Sequence, residues 1–139
     1  MDLLVLIGRI LFSALFLGSA VGHLTQSKAM AGYASSKRIP SPAAAVVGSG
    51  VLILLGGLSV LLGVWPDLGA LLLIAFLVPT ALLMHRFWTE RDPMLRQNDQ
   101  AHFMKNLALA GAALVMFAFF AYAGHDLGLT LTGPLLDLR

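Results

Sequence analysis

The sequence predicts an all-α fold, a polytopic membrane protein built as an antiparallel bundle of four transmembrane helices with a proline-kinked third helix. Three observations carry this. Of 139 residues, 58% are hydrophobic and only 12% charged, against about 25% charged in soluble domains. The mean hydropathy is +0.86. The apolar residues are gathered into four runs, and each crossing of an about 30 Å hydrocarbon layer takes roughly 20 of them. So few charges could not coat a water-soluble globule, and the apolar fraction excludes disorder. The whole chain, 1–139, reads as one membrane domain.

The four spans fall at about 3–24, 42–64, 67–87 and 103–123, with a tail over 124–139. A cleaved signal peptide is disfavoured for the first, because no basic segment precedes it and Arg9 interrupts its apolar stretch. In the second span Ser41 stands as N-cap, with Pro42 at the first helical position where its missing N–H costs nothing. Trp65-Pro66-Asp67 is so short a connection that the second and third helices must be antiparallel neighbours. Pro79, inside the third, leaves the Ala75 carbonyl without its helical partner. Asp92-Pro93 repeats the cap-then-proline pattern, so 93–101 is either a short interfacial helix or an extension of the fourth span. In the tail, Leu127, Leu129 and Leu131 alternate with small residues, which fits an interfacial or partner-bound segment.

Lys28, Lys37 and Arg38 follow the first span; Arg86, Arg91 and Arg96 follow the third, with Lys105 just inside the fourth. The opposite side carries Asp2, Asp67, Asp126 and Asp137, with Arg139 as its single late cation. The positive-inside rule therefore places both long connections in the cytoplasm and both termini outside. A net charge of +2, with dispersed basic residues, argues against nucleic acid as a partner. The absence of cysteine removes disulfides, thiolate nucleophiles and Cys-ligated clusters.

Ionisable residues within spans are functional candidates because exposing them to hydrocarbon costs about 2.5–3.5 kcal/mol on insertion scales. Arg9, Phe12, Ser13, Phe16, Ala20 and His23 form one helical stripe, read as the inward face of the first span. Asp67 starts the third helix on the same side as Arg9, so the two are read either as an ion pair or as separate anchors, with a substrate-binding arginine as a further option. Gly18 and Gly22 make a small-xxx-small pair on the reverse face, where another helix or subunit could approach closely.

The cytoplasmic end holds the richer polar set. His23, His85 and His102, from three helices, fall at one depth. His102, Lys105 and Asn106 share a face of the fourth helix, as His85 and Trp88 share one of the third. These groups are read either as interfacial residues or as a polar pocket for a quinone, an anion or a protein partner. Their spacing matches no metal signature, so metal and haem are disfavoured.

Several of these segments also resemble a known family. Gly8-Arg9-Ile10-Leu11-Phe12 through Phe16 and Gly22-His23 open the match. The glycine-rich Gly48-Ser49-Gly50 through Gly56-Gly57 continues it. Met84-His85-Arg86-Phe87-Trp88 and the run Gln100-Ala101-His102-Phe103-Met104-Lys105-Asn106-Leu107-Ala108-Leu109 complete it. Over about 6–117 the chain resembles the DoxX family of small bacterial membrane proteins. Ser13 stands where the family commonly has glycine, and His23 where a lysine often closes the first span. The resemblance implies a four-helix protein of the bacterial inner membrane, linked to redox or oxidative-stress functions through similarity to the small subunit of a thiosulfate:quinone oxidoreductase. It also carries Arg9, His85, Trp88, His102, Lys105 and Asn106 over as the polar site.

The expected function is an accessory subunit of a quinone- or thiol-linked redox system. His85, His102 and Lys105 would bind a quinone head group, Trp88 would stack on it, and Asn106 would orient it. Electrons would have to come from a partner, such as a soluble redox enzyme on the cytoplasmic side, because the chain holds no recognisable redox motif. The alternatives are a non-catalytic scaffold, using Gly18 and Gly22 and the seam Ala108, Gly111 and Ala112, or an oligomeric carrier of small anions or metabolites using Arg9 and Lys105. All three expect a homo-oligomer or a larger membrane complex.

Overall fold

The computed structural model describes residues 1–138, so Arg139 lies outside the described residues. Five α-helices follow in order: α1 (Asp2–Thr25), α2 (Ser27–Ser36), α3 (Pro42–Leu62), α4 (Pro66–Met84) and α5 (Pro93–Ala123). Four of them, α1, α3, α4 and α5, are long and apolar enough to cross a membrane. The chain is an all-α, multi-pass membrane protein. The helices pack in the sequence α1 on α3, α3 on α4 and α4 on α5, while α1 and α5 do not meet as closely. Phe16, Ala20, Ile53, Val60, Leu73, Leu77 and Ala110 form the core between them.

The sequence leaves 25–41 as a plain connection, but its middle folds as α2, which packs on α3 and buries Ala34. Its composition, rich in alanine with serine and glycine, carries no long apolar run, so a span-length window passes over it. The fourth span and the segment before it form one helix capped by Asp92, whose carboxylate accepts from the amides of Met94 and Leu95, both at 2.9 Å. At 31 residues α5 is about 46 Å long, longer than the hydrocarbon layer is thick, so its polar first turns extend past the apolar part of the bundle. Within the third span, the span-length segment Pro66–Thr89, the α-helix itself ends at Met84. His85 and Arg86 leave helical geometry, and a single 3-10 turn follows over Phe87–Thr89. Ser41 occupies the N-cap position of α3, yet its side chain makes no capping bond because its backbone is left-handed at φ 48°.

Close approach within the bundle comes from the glycines of α3 and α4. A Cβ on Gly56 would lie 2.8 Å from Leu73 Cδ2 and 3.1 Å from the Gly69 carbonyl. Gly18 and Gly22, in contrast, have nothing within 4 Å of a would-be Cβ. Ala108, Gly111 and Ala112 are likewise exposed on α5.

The tail is not a free segment. It folds back over the end of the bundle where α3 meets α4. Trp65 N–H donates to the Gly133 carbonyl at 3.0 Å, Leu131 N–H to Leu62 at 3.2 Å, and Gly133 N–H to Gly63 at 3.2 Å.

Candidate functional site

Two polar constellations stand at opposite ends of the bundle. At the tail-covered end, Arg9 is 2% exposed and Asp67 is fully buried. They do not form the ion pair that their position in the sequence allowed. Arg9 Nε donates to the Val60 carbonyl at 2.8 Å, Nη2 to Leu61 at 2.6 Å and Nη1 to Leu129 at 2.7 Å. Asp67 accepts from the amides of Leu135 and Leu136, both at 2.8 Å.

The reason lies in the helix termini. An α-helix ends with four carbonyls that have no intrahelical partner, and in a bilayer such groups must be satisfied within the protein. At the end of α3, Ser59 accepts from Val64 N–H and Leu62 from Leu131 N–H, while Val60 and Leu61 accept from Arg9. The cation thus closes the negative end of α3, and the carboxylate of Asp67 sits in the first turn of α4, its positive end. Each charge is matched to a helix terminus and to the returning tail, which the sequence alone could not place. Nothing in this arrangement leaves Arg9 open to a substrate.

At the other end lies a cavity of about 350 Å³, walled by all five helices. Its apolar lining includes Phe16, Phe76, Leu77 and Leu109, and Pro79 stands on the same wall. Leu15 and Leu83 line it while also being exposed on the outer, lipid-facing surface, so the cavity reaches the flank of the bundle. Its polar lining brings together His23, His85, Lys105 and Asn106. Asn106 is 6% exposed, and among the described residues its amide has no hydrogen-bond partner. Tyr33 from α2 and Ser49 from α3 add hydroxyl groups.

Each histidine is held differently. His23 Nδ1 lies 3.0 Å from Ser49 Oγ and 3.2 Å from the Val46 carbonyl, with its ring edge-on to Phe76. His85 Nδ1 lies 3.5 Å from Asp99 Oδ1, and its ring stacks on His102 at a centroid distance of 5.0 Å. His102 backs His85 without lining the cavity, and its Nδ1 faces Lys105 Nζ at 3.3 Å. Trp88 does not join the set. It is half-exposed and packs edge-on against Phe87 and Phe103.

The organising residue of this end is Asp99, which the sequence reading passed over. It is 3% exposed, and its second oxygen accepts from Lys37 Nζ at 2.6 Å. That bond holds the Lys37 ammonium above the usual lysine range, against the opposing effect of burial. Arg86 braces the same corner by donating from Nη2 to the Lys37 carbonyl at 2.6 Å. A signal for Asp99 was present: Asp99, His102 and Asn106 have the i, i+3, i+7 spacing of one helix face. It becomes a signal only once 93–101 is known to continue the fourth span, one of the two readings that the sequence leaves open.

The family model for DoxX matches residues 4–86. The chain belongs to the DoxX family. The match runs from α1 to the end of α4 and so takes in Arg9, Asp67, His23 and His85; Asp99, Lys105 and Asn106 of this DoxX protein lie beyond it on α5. No curated protein and no solved structure matches the chain.

Proposed function

We propose that this DoxX protein is the membrane subunit of a redox system and holds the head group of a quinone-type, lipid-soluble carrier in the cavity beside His85, Lys105 and Asn106. The observation that carries the reading is Asn106: a nearly buried amide on the cavity wall, with no partner among the described residues. Because Asn106 lines the cavity, its amide can donate to a ligand carbonyl and accept from a ligand hydroxyl. A few convergent polar groups in an otherwise apolar cavity of this size are the usual composition of a small-molecule site. The exposed Leu15 and Leu83 on its rim give an isoprenoid tail a route to the bilayer.

Lys28, Lys37, Arg38, Arg86, Arg91 and Arg96 gather at the cavity end, together with Glu90, Asp92 and Asp99, while Asp2, Asp67, Asp126 and Asp137 lie at the other. In this reading the cavity faces the cytoplasmic side of a bacterial inner membrane, with both termini outside. Electrons then pass to or from a partner enzyme on that side. The test is solvent extraction of protein purified in native lipid. Wild type should carry quinone in a fixed ratio, and Lys105→Ala combined with Asn106→Ala should lose it while keeping its helical spectrum and elution volume. Equal quinone content in both would defeat the proposal.

A second reading, a scaffold that docks another subunit, is favoured by the open surface at Gly18 and Gly22. It predicts a stoichiometric partner or second copy in gentle detergent, lost in Gly18→Leu with Gly22→Leu. A monomer that behaves identically in both forms would remove it.

A further inference from the structure

The hydrogen-bond partners of the two cavity histidines determine which of their nitrogens carry protons. Val46 offers His23 Nδ1 a carbonyl, which can only accept. Ser49 Oγ, the other neighbour, spends its single proton on that same carbonyl at 3.0 Å, so it too accepts from the ring. His23 must therefore bear its proton on Nδ1. Asp99, kept ionised by the Lys37 ammonium on its other oxygen, likewise only accepts, so His85 also bears its proton on Nδ1. At 3.5 Å this contact is long for a hydrogen bond, but the carboxylate offers the ring nitrogen no proton at any distance. In neutral imidazoles the remaining nitrogen, Nε2, is then a bare acceptor in both rings. His102 is the opposite case: its Nδ1 receives a proton donor, Lys105, so its own proton is on Nε2, and it is not on the cavity wall.

We propose that the cavity selects the reduced, dihydroxy form of its ligand, a quinol whose hydroxyl groups donate to Nε2 of His23 and Nε2 of His85, with Asp99 as the positioning residue that fixes the His85 tautomer. This rests on the quinone-type reading above and adds the redox state of the ligand. A quinone offers only carbonyl oxygens and would set two acceptors against two acceptors, leaving buried polar atoms unpaired. A site built to receive a hydroxyl proton discriminates strongly against an analogue that lacks it. Lys105 does not reverse the preference, because one bond to His102 leaves two of its three ammonium protons and these can be accepted by the oxygens of either form. Asn106 can serve either form, since its amide both donates and accepts.

The test uses the full chain in nanodiscs, in anaerobic, mildly alkaline buffer, with duroquinol and duroquinone as probes. Duroquinol should bind tighter by about tenfold or more. Asp99→Asn should erase much of that preference and Asp99→Glu restore it. The independent readout is the nitrogen spectrum of 15N-histidine-labelled wild type, in which His23 and His85 should appear as Nδ1–H rings and His102 as Nε2–H. Equal binding, or tighter duroquinone, overturns the inference and leaves the quinone-type site standing. Binding of neither probe overturns both. A protonated Nε2 on His23 or His85 overturns the inference whatever the affinities, and it needs no variant that might misfold.

Discussion

Arg9 Nη1 donates to the carbonyl of Leu129 at 2.7 Å, across a sequence separation of 120 residues, so the first helix and the tail hold one another. The same guanidinium caps Val60 and Leu61 at the end of α3. Removing it strands three carbonyls where lipid offers no substitute donor. Each unsatisfied buried group costs about 1–3 kcal/mol. Arg9→Gln should therefore lower stability by about 3 kcal/mol or more, read as the midpoint of thermal unfolding in detergent. Arg9→Lys should fall between, because a single ammonium cannot reproduce the planar fork that reaches three acceptors. A midpoint unchanged in Arg9→Gln would contradict the capping role.

Asp67 is the tail's second peg. Its two oxygens receive the amides of Leu135 and Leu136. Asp67→Asn keeps one acceptor oxygen, whereas Asp67→Ala keeps none, so amide hydrogen exchange at these two leucines should speed up modestly in the first and strongly in the second. Exchange in α3 and α5 should stay slow in both. Equal protection of Leu135 and Leu136 in wild type and Asp67→Ala would show that the tail is held by other contacts.

Much of this fold was legible in the sequence because hydrocarbon is a strict solvent. Four apolar runs, Pro42 at a helix start, Asp92 as a cap and the short Trp65 connection are local signals, and the helices follow them. The inward stripe of α1 was legible for the same reason, since Arg9, Ser13, Phe16 and Ala20 repeat at helical spacing and are buried together. The partners of the charged residues were not legible. Arg9 and Asp67 share one end of the bundle, and charge alone invited pairing them. Which backbone groups lacked partners there depended on the return of the tail, and no local pattern encodes that return. At the cavity end, the residues of α5 were visible as a face, but Lys37 reached Asp99 only through α2 and the turn after it.

The glycines separate packing inside the chain from surface left for others. Gly56→Ala would press a methyl group against the buried Leu73 and within 3.1 Å of the Gly69 carbonyl. The backbone cannot yield as a side-chain tip can, and overpacking of this kind costs about 1–3 kcal/mol. Gly18→Ala meets nothing and exchanges glycine for a better helix former. Thermal unfolding in detergent should thus be lowered by Gly56→Ala and unchanged or raised by Gly18→Ala. A drop of similar size in both would mean that the Gly18 face is already covered, by a second copy that survives extraction.

The Lys37–Asp99 bond ties the α2–α3 connection to α5 and keeps Asp99 ionised for His85. An exposed ion pair contributes about 0.2–1 kcal/mol and a hydrogen bond to a charged group about 1.5–3. With Asp99 buried and the lysine side chain 21% exposed, the pair falls between, at about 1–2 kcal/mol. The hydrogen bond to Asp99 raises the lysine above its ordinary value, so its contribution is fully present below the unfolded lysine pKa and is lost only as pH rises through the higher folded value. Lys37→Met should consequently cost the same stability in mildly acidic and mildly alkaline detergent, and the wild type should converge on the variant only in strongly alkaline solution. The measurement is the difference in unfolding midpoint between the two proteins across that range. A difference that vanishes near neutrality would show that the pair titrates with Asp99 or His85 rather than with Lys37, and would remove the lysine as the group that keeps the carboxylate charged.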